Sequence, residues 1–245
     1  MGGHPPRSTS EEFPVKRSLL MSVLLAAVAT VSHAGPVTPT YTTFGNLAGA
    51  TWGGSGIPTD PAAITTSGGV TVALIAHQRF ANPALGNNGA GTYFATAGMN
   101  DGLDTVPHSV AATWNFGFYI NLGTALATSY QIDLFYDLDG GVGTDLADMG
   151  RIDIDASAGP LSLIQGSQNL SFGFLDTGVP GFVFAPLAGF NGNAPGEYSF
   201  MLRVRDLQGN DIATSAMNVQ VPEPGSLALA GLALVGLAAA RRRRG

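Results

Sequence analysis

In four stretches after residue 110 of this 245-residue chain, apolar side chains recur at every second position. Trp114, Phe116, Phe118 and Ile120 fall on one face of an extended backbone, with Asn115, Gly117, Tyr119 and Asn121 on the other. The pattern repeats three times. Tyr130, Ile132, Leu134 and Tyr136 alternate with Gln131, Asp133, Phe135 and Asp137; Ile152 and Ile154 alternate with Asp153 and Asp155. Tyr198, Phe200, Leu202 and Val204 alternate with Ser199, Met201, Arg203 and Arg205. Side chains of a strand point alternately to its two faces, so period two marks half-buried strands. No segment between 35 and 221 carries a sustained apolar stripe at helical spacing.

Turn-forming residues separate the runs: Asp139-Gly140-Gly141, Gly159-Pro160, Pro180-Gly181, Asn191-Gly192 and Gln208-Gly209-Asn210. Many short strands with such turns predict a mostly β fold, an antiparallel β-sandwich of immunoglobulin-like or jelly-roll-like type. Its last part reads as a hairpin. Pro195-Gly196-Glu197-Tyr198 opens a strand, Asp206 to Asp211 turns, and Ile212–Val221 returns. Tyr198 is placed like the corner tyrosine of immunoglobulin-like sandwiches. In the earlier half Val70–His77 reads as a strand and Thr92–Thr96 as a shorter one, between glycine-rich loops at Gly53–Gly56 and Gly86–Gly89.

Residues 35–221 are enough for one domain with its own core. They carry four arginines, no lysine, thirteen aspartates and one glutamate, a net charge of −10. Such a surface releases no counterions from a nucleic acid, so nucleic-acid binding is not expected. There is no cysteine, which leaves the fold to its core or to metal ions.

The acids are densest where Asp137 and Asp139 precede Asp145 and Asp148, with Asp153 and Asp155 beyond. Calcium takes six to eight oxygens, and alternating carboxylates around a glycine-bearing loop supply them, so Asp137, Asp139, Asp145 and Asp148 are candidate ligands. Counted from Asp137 they fall at the first, third, ninth and twelfth positions of an EF-hand-like loop. Gly141 and Val142 stand where a ligand and the obligatory glycine belong, so the loop is not an EF-hand. The competing reading is an Asp-Gly-Gly turn that carries solubilising charge.

Catalytic signals are sparse. His77 and His108 are the histidines of this region, each expected as a surface or hydrogen-bonded residue. No nucleophile elbow, phosphate loop or zinc-protease helix appears. Asp153 and Asp155 have the spacing of a carboxylate pair on one strand face, and a solvated strand face is the preferred reading of them. The domain is therefore expected not to be an enzyme and to need no cofactor. Trp52, Tyr93 and Tyr119 are the aromatics that could stack on sugar rings, with burial in the core the competing reading. Asn169-Leu170-Ser171 matches a glycosylation acceptor and is read as a polar strand position.

The two ends differ in kind from the middle. Lys16 and Arg17 precede the apolar segment Leu19 to Val31, and Ser32-His33-Ala34 supplies the small residues before a cleavage site. Residues 1–34 read as a secretory signal peptide cut between Ala34 and Gly35 by signal peptidase. At the other end stand Pro222-Glu223-Pro224, an uncharged run Leu227–Ala240, and Arg241, Arg242, Arg243 and Arg244. Two prolines around one residue stop a folded segment. The run has 14 residues, fewer than the ~20 of a full membrane span. The arginines hold the terminus on the cytoplasmic side.

That ordered triplet resembles the PEP-CTERM sorting signal of Gram-negative bacteria. The resemblance covers residues 222–245 and implies a route: recognition of Pro222, Glu223 and Pro224 by an exosortase, with 227–240 as a transient transmembrane helix and Arg241–Arg244 as the stop. It also implies an exported protein that passes through an inner-membrane intermediate to the cell surface or matrix, where exopolysaccharide and biofilm are its surroundings. The expected role is structural or adhesive, with a surface carbohydrate-binding module, calcium-dependent or not, as the alternative.

Overall fold

A computed structural model describes residues 1–3, 35–80, 84–100, 110–223, 225 and 232. In chain order the strands are β1 (Thr43–Gly45), β2 (Ala62–Ser67), β3 (Val70–Gln78), β4 (Gly86–Asn87), β5 (Thr92–Phe94), β6 (Met99–Asn100), β7 (Ala111–Ala112) and β8 (Trp114–Asn121). They continue with β9 (Gln131–Tyr136), β10 (Gly150–Asp153), β11 (Leu163–Gln168), β12 (Val183–Phe184), β13 (Gly196–Arg205) and β14 (Asp211–Val221). Two short helices intervene, α1 (Ile154–Ala158) and α2 (Gly173–Thr177).

The strands form a five-stranded sheet in the order β1-β2-β3-β8-β11 and a seven-stranded sheet in the order β12-β10-β9-β13-β14-β5-β4; β6 and β7 make a separate ribbon. The alternation read from the sequence is what joins the two sheets. Phe116 of β8 meets Phe200 of β13 with ring centroids 4.5 Å apart, and Trp114 packs on Tyr198 and Phe200. Ile120, Leu134, Leu202 and Val219 are buried in the same cluster. Ser215 ties the layers with a hydrogen bond from its hydroxyl to the Ala63 carbonyl, 2.8 Å long. The closing hairpin is β13 and β14, with the carboxylate of Asp206 accepting the Gln208 and Asn210 amides in its turn. Nearly all pairings are antiparallel; β14 and β5 run parallel, with Val219 opposite Tyr93.

Two expectations are corrected and one choice between readings is decided. Period two predicted sheets with one wet face, yet β3 and β8 are buried on both. The outer face of the five-stranded sheet is covered by the loop after Leu47. Trp52 lies there with no exposed surface, its indole N–H on the Pro58 carbonyl at 2.9 Å and its ring edge-on to Tyr119. Gln165 of β11 clamps the loop, its Oε1 accepting the amides of Thr51 and Trp52 at 2.9 Å each. The indole needs Gly117 beneath it, since a Cβ there would sit 2.9 Å from Ile75 Cγ2 and 3.3 Å from Trp52 Cε3. The seven-stranded sheet has its own cover. The segment from Pro36 to Thr40 crosses from the edge of β14 to the loop at Asp145, laying Val37 against Phe135, Met149 and Ala216.

Second, of the two readings of Trp52, Tyr93 and Tyr119 the core one holds: all three are buried, so none offers a ring to a sugar. Each finds internal work; the Tyr93 hydroxyl, for instance, donates to the Pro61 carbonyl at 2.6 Å. Third, the strand expected through Asp155 ends at Asp153. Asp155 belongs to α1, and its carboxylate accepts the Ile132 amide at 2.6 Å. Asp153 and Asp155 therefore share no strand face.

Candidate functional site

The sorting tail leaves the folded domain at a defined point. Val221, the last residue of β14, is buried and paired with Gly196, while Pro222 and Glu223 immediately after it are exposed. Proline has no amide to extend the ladder, so the strand cannot continue past Val221. Pro222 and Glu223 border an open cleft of about 300 Å³, with Gly140 and Val142 on its far side. Among the described residues no helix is long and apolar enough to cross a membrane. Pro224, Arg241–Arg244, Ala34 and, apart from Leu232, the run 227–240 lie outside the described residues, as do residues 4–33 of the signal segment and His108; Gly35 is described and exposed.

The family model of the PEP-CTERM protein-sorting motif matches residues 220–244. The chain carries a PEP-CTERM tail. The match takes in the last two residues of β14 and all three members of the ordered triplet, and it marks an exported protein sorted by exosortase at the membrane. No curated protein and no solved structure matches the chain.

The four aspartates proposed as calcium ligands fall into two environments. Asp139, Asp145 and Asp148 border a cleft of about 500 Å³. Asp137 is buried behind it at 1% exposure, where β9 ends. Its Oδ1 accepts the Asp139 amide at 2.8 Å, and Asp139 in turn accepts the Gly141 amide at 3.0 Å. These are Asx turns, in which a carboxylate folds its own loop. Among the described residues no three acids or histidines gather in a metal-binding arrangement.

Asp137 is the anomalous member. Its Oδ2 has no hydrogen-bond partner, and neither has the Ser199 hydroxyl beside it nor Asn218 Oδ1 one strand further. Burial pushes its carboxyl up to about 6; nearby Thr144 and the Asp139 and Ser199 amides offset only part of that, and the Asp139 charge adds to it. By contrast the buried Asp133 takes Arg151, Arg203 and Arg205 at 3.3, 3.5 and 2.7 Å. Three of the four arginines of the −10 domain are thus spent on one carboxylate.

Sequence reasoning missed one constellation. His77, buried at the end of β3, faces Ser167 of β11 across Asn115 of β8. The His77 Nδ1 sits 2.9 Å from the Gln78 carbonyl, and Nε2 sits 2.9 Å from Ser167 Oγ. Asn115 Nδ2 donates to the same Oγ at 3.1 Å, while Asn115 Oδ1 accepts from Asn169 Nδ2 at 2.7 Å. Asn169 is fully buried and held by the carbonyls of Ala112 and Trp114, so it is no glycosylation acceptor. His77, Asn115 and Ser167 border a cleft of about 400 Å³, walled by the Gly54–Ile57 turn and Phe80. His77 and Ser167 stand ninety residues apart on strands separated by β8, so only their common outward parity could have hinted at the meeting.

Proposed function

We propose that the domain between Gly35 and Val221 is a structural or adhesive component of the cell surface or extracellular matrix, released from a membrane intermediate and held among exopolysaccharide chains. The observation that carries this reading is the placement of the sorting motif. Pro222 and Glu223 are exposed directly after the last paired strand, so a membrane protease can reach them without unfolding the domain. The acidic, cysteine-free composition suits a soluble matrix component.

The test is the mass of both ends of the protein purified from its host. Signal peptidase and exosortase processing gives a chain that starts at Gly35 and ends near Pro222. A chain that still carries Arg241–Arg244 would retire the reading in favour of a permanent membrane anchor. Retention with the exopolysaccharide fraction, lost when exosortase is deleted, tests the matrix association.

A calcium-dependent surface carbohydrate module is the second reading, supported by the three carboxylates around one cleft. It has lost its sugar-stacking aromatics to the core. Calorimetric titration of the processed protein with calcium decides it: absence of heat and of any rise in melting temperature retires it.

A further inference from the structure

The polar chain around Ser167 has only one consistent direction. A carbonyl oxygen cannot donate, so His77 Nδ1 must carry its proton toward Gln78 O, and Nε2 is left with a lone pair. That lone pair can only receive the Ser167 hydroxyl proton. Asn115 agrees from the other side. Its Oδ1 faces an Asn169 Nδ2 donor, so its own Nδ2 points at Ser167 Oγ as a donor. The serine oxygen therefore accepts from an amide and donates to a neutral imidazole, the arrangement that makes a hydroxyl nucleophilic.

We propose that Ser167 and His77 form a nucleophile–base dyad that accepts a short-chain, uncharged carboxylic ester in the cleft beside the Gly54–Ile57 turn. Among the described residues that line the cleft no side chain bears a formal charge at neutral pH, because burial holds the His77 imidazole below its ordinary range and hence neutral. Ile57 and Phe80 supply apolar walls, and Ser55, Gln78 and Asn115 supply hydrogen-bonding groups. The backbone of the Gly54–Ile57 turn lies in the cleft wall, and donors for a carbonyl oxygen that gains charge would come from its amides.

The chemistry balances within these groups. Ser167 Oγ bonds to the ester carbonyl carbon as its proton passes to His77 Nε2. The carbon–oxygen bond to the leaving alcohol then breaks, and the alcohol takes that proton. Water attacks the acyl-serine, gives its proton to His77, and the carboxylic acid departs as Ser167 recovers its hydroxyl. The inference goes beyond the sorting reading and does not rest on it.

The competing account is a network that merely fastens the edge strand β11, which would show in stability and not in reactivity. The experiment treats the processed protein from its host with a fluorophosphonate and maps the adduct by peptide mass, and follows hydrolysis of p-nitrophenyl acetate. The proposal expects one adduct on Ser167, and turnover that falls by about 100-fold or more in Ser167→Ala and in His77→Gln, with circular dichroism and melting temperature read in parallel. Wild-type protein that is folded yet unlabelled at Ser167 overturns it, a result that needs no variant to fold. Turnover that survives in a folded Ser167→Ala overturns it as well.

Discussion

Replacing Asp137 by asparagine should make the protein more stable at neutral pH, although it removes a buried group at the acidic loop. The carboxyl is 1% exposed, with Oδ2 unpartnered. Burial raises it from 3.8 to about 6. In the unfolded chain it loses its proton near the lower value, and in the folded protein near the higher one. Between the two the folded state binds the proton more tightly, so this group's contribution to stability falls as pH rises from about 4 to about 6 and stays low above that. Two pH units correspond to about 3 kcal/mol, and relaxation and partial screening around the loop reduce this to about 1–2 kcal/mol. Asparagine is neutral throughout. Its Oδ1 can keep the Asp139 amide, and its NH₂ offers a donor toward the unpartnered Ser199 hydroxyl. Urea unfolding followed by tryptophan fluorescence, in EDTA at pH 4.5 and pH 7.5, measures the difference between variant and wild type. That difference cancels the slopes of the other carboxylates. The expectation is a gain of about 1–2 kcal/mol for Asp137→Asn at pH 7.5 and about a third of that at pH 4.5, where the shift is only partly expressed. A variant less stable at pH 7.5, or a calcium-induced gain in wild type that the variant lacks, would refute the reasoning, because the ionised carboxylate would then be a ligand.

Trp52→Ala should cost about 3–5 kcal/mol by thermal or urea unfolding, as the indole is fully buried and hydrogen-bonded to Pro58; a loss under about 1 kcal/mol would mean that the covering loop is dispensable. Asp133→Ala leaves Arg151, Arg203 and Arg205 facing one another without their shared carboxylate and should cost about 3–5 kcal/mol in the same assay. An unchanged midpoint would show that the arginines simply turn to water. Gly117→Ala forces a methyl against Ile75 and Trp52 and should cost about 1–3 kcal/mol. A neutral result there would mean that the loop lifts without penalty, and the Trp52→Ala cost should then be small too.

The sequence by itself determined the parts that depend on local pattern and on order along the chain. Alternation at Trp114–Asn121 and Gly196–Arg205 marks strands because a pleated backbone turns successive side chains to opposite faces, and the Asp206–Asn210 turn is written in residues that fold their own backbone. The sorting tail is legible for the same reason, being a proline-bounded motif, an apolar run and a basic block in fixed order. Only the tertiary structure decided what lies on the second face of each sheet. Trp52 reads as either a core or a sugar-stacking aromatic until Gln165, more than a hundred residues away, captures its amide and Gly117 makes room for its ring. Nothing local distinguishes Asp133, compensated by three arginines, from Asp137, left with an unpartnered oxygen, although both lie on the outward side of the strand line that ends at Tyr136. The His77–Ser167 contact is of the same kind: antiparallel register sets it across three strands, and register is a property of the assembled sheet.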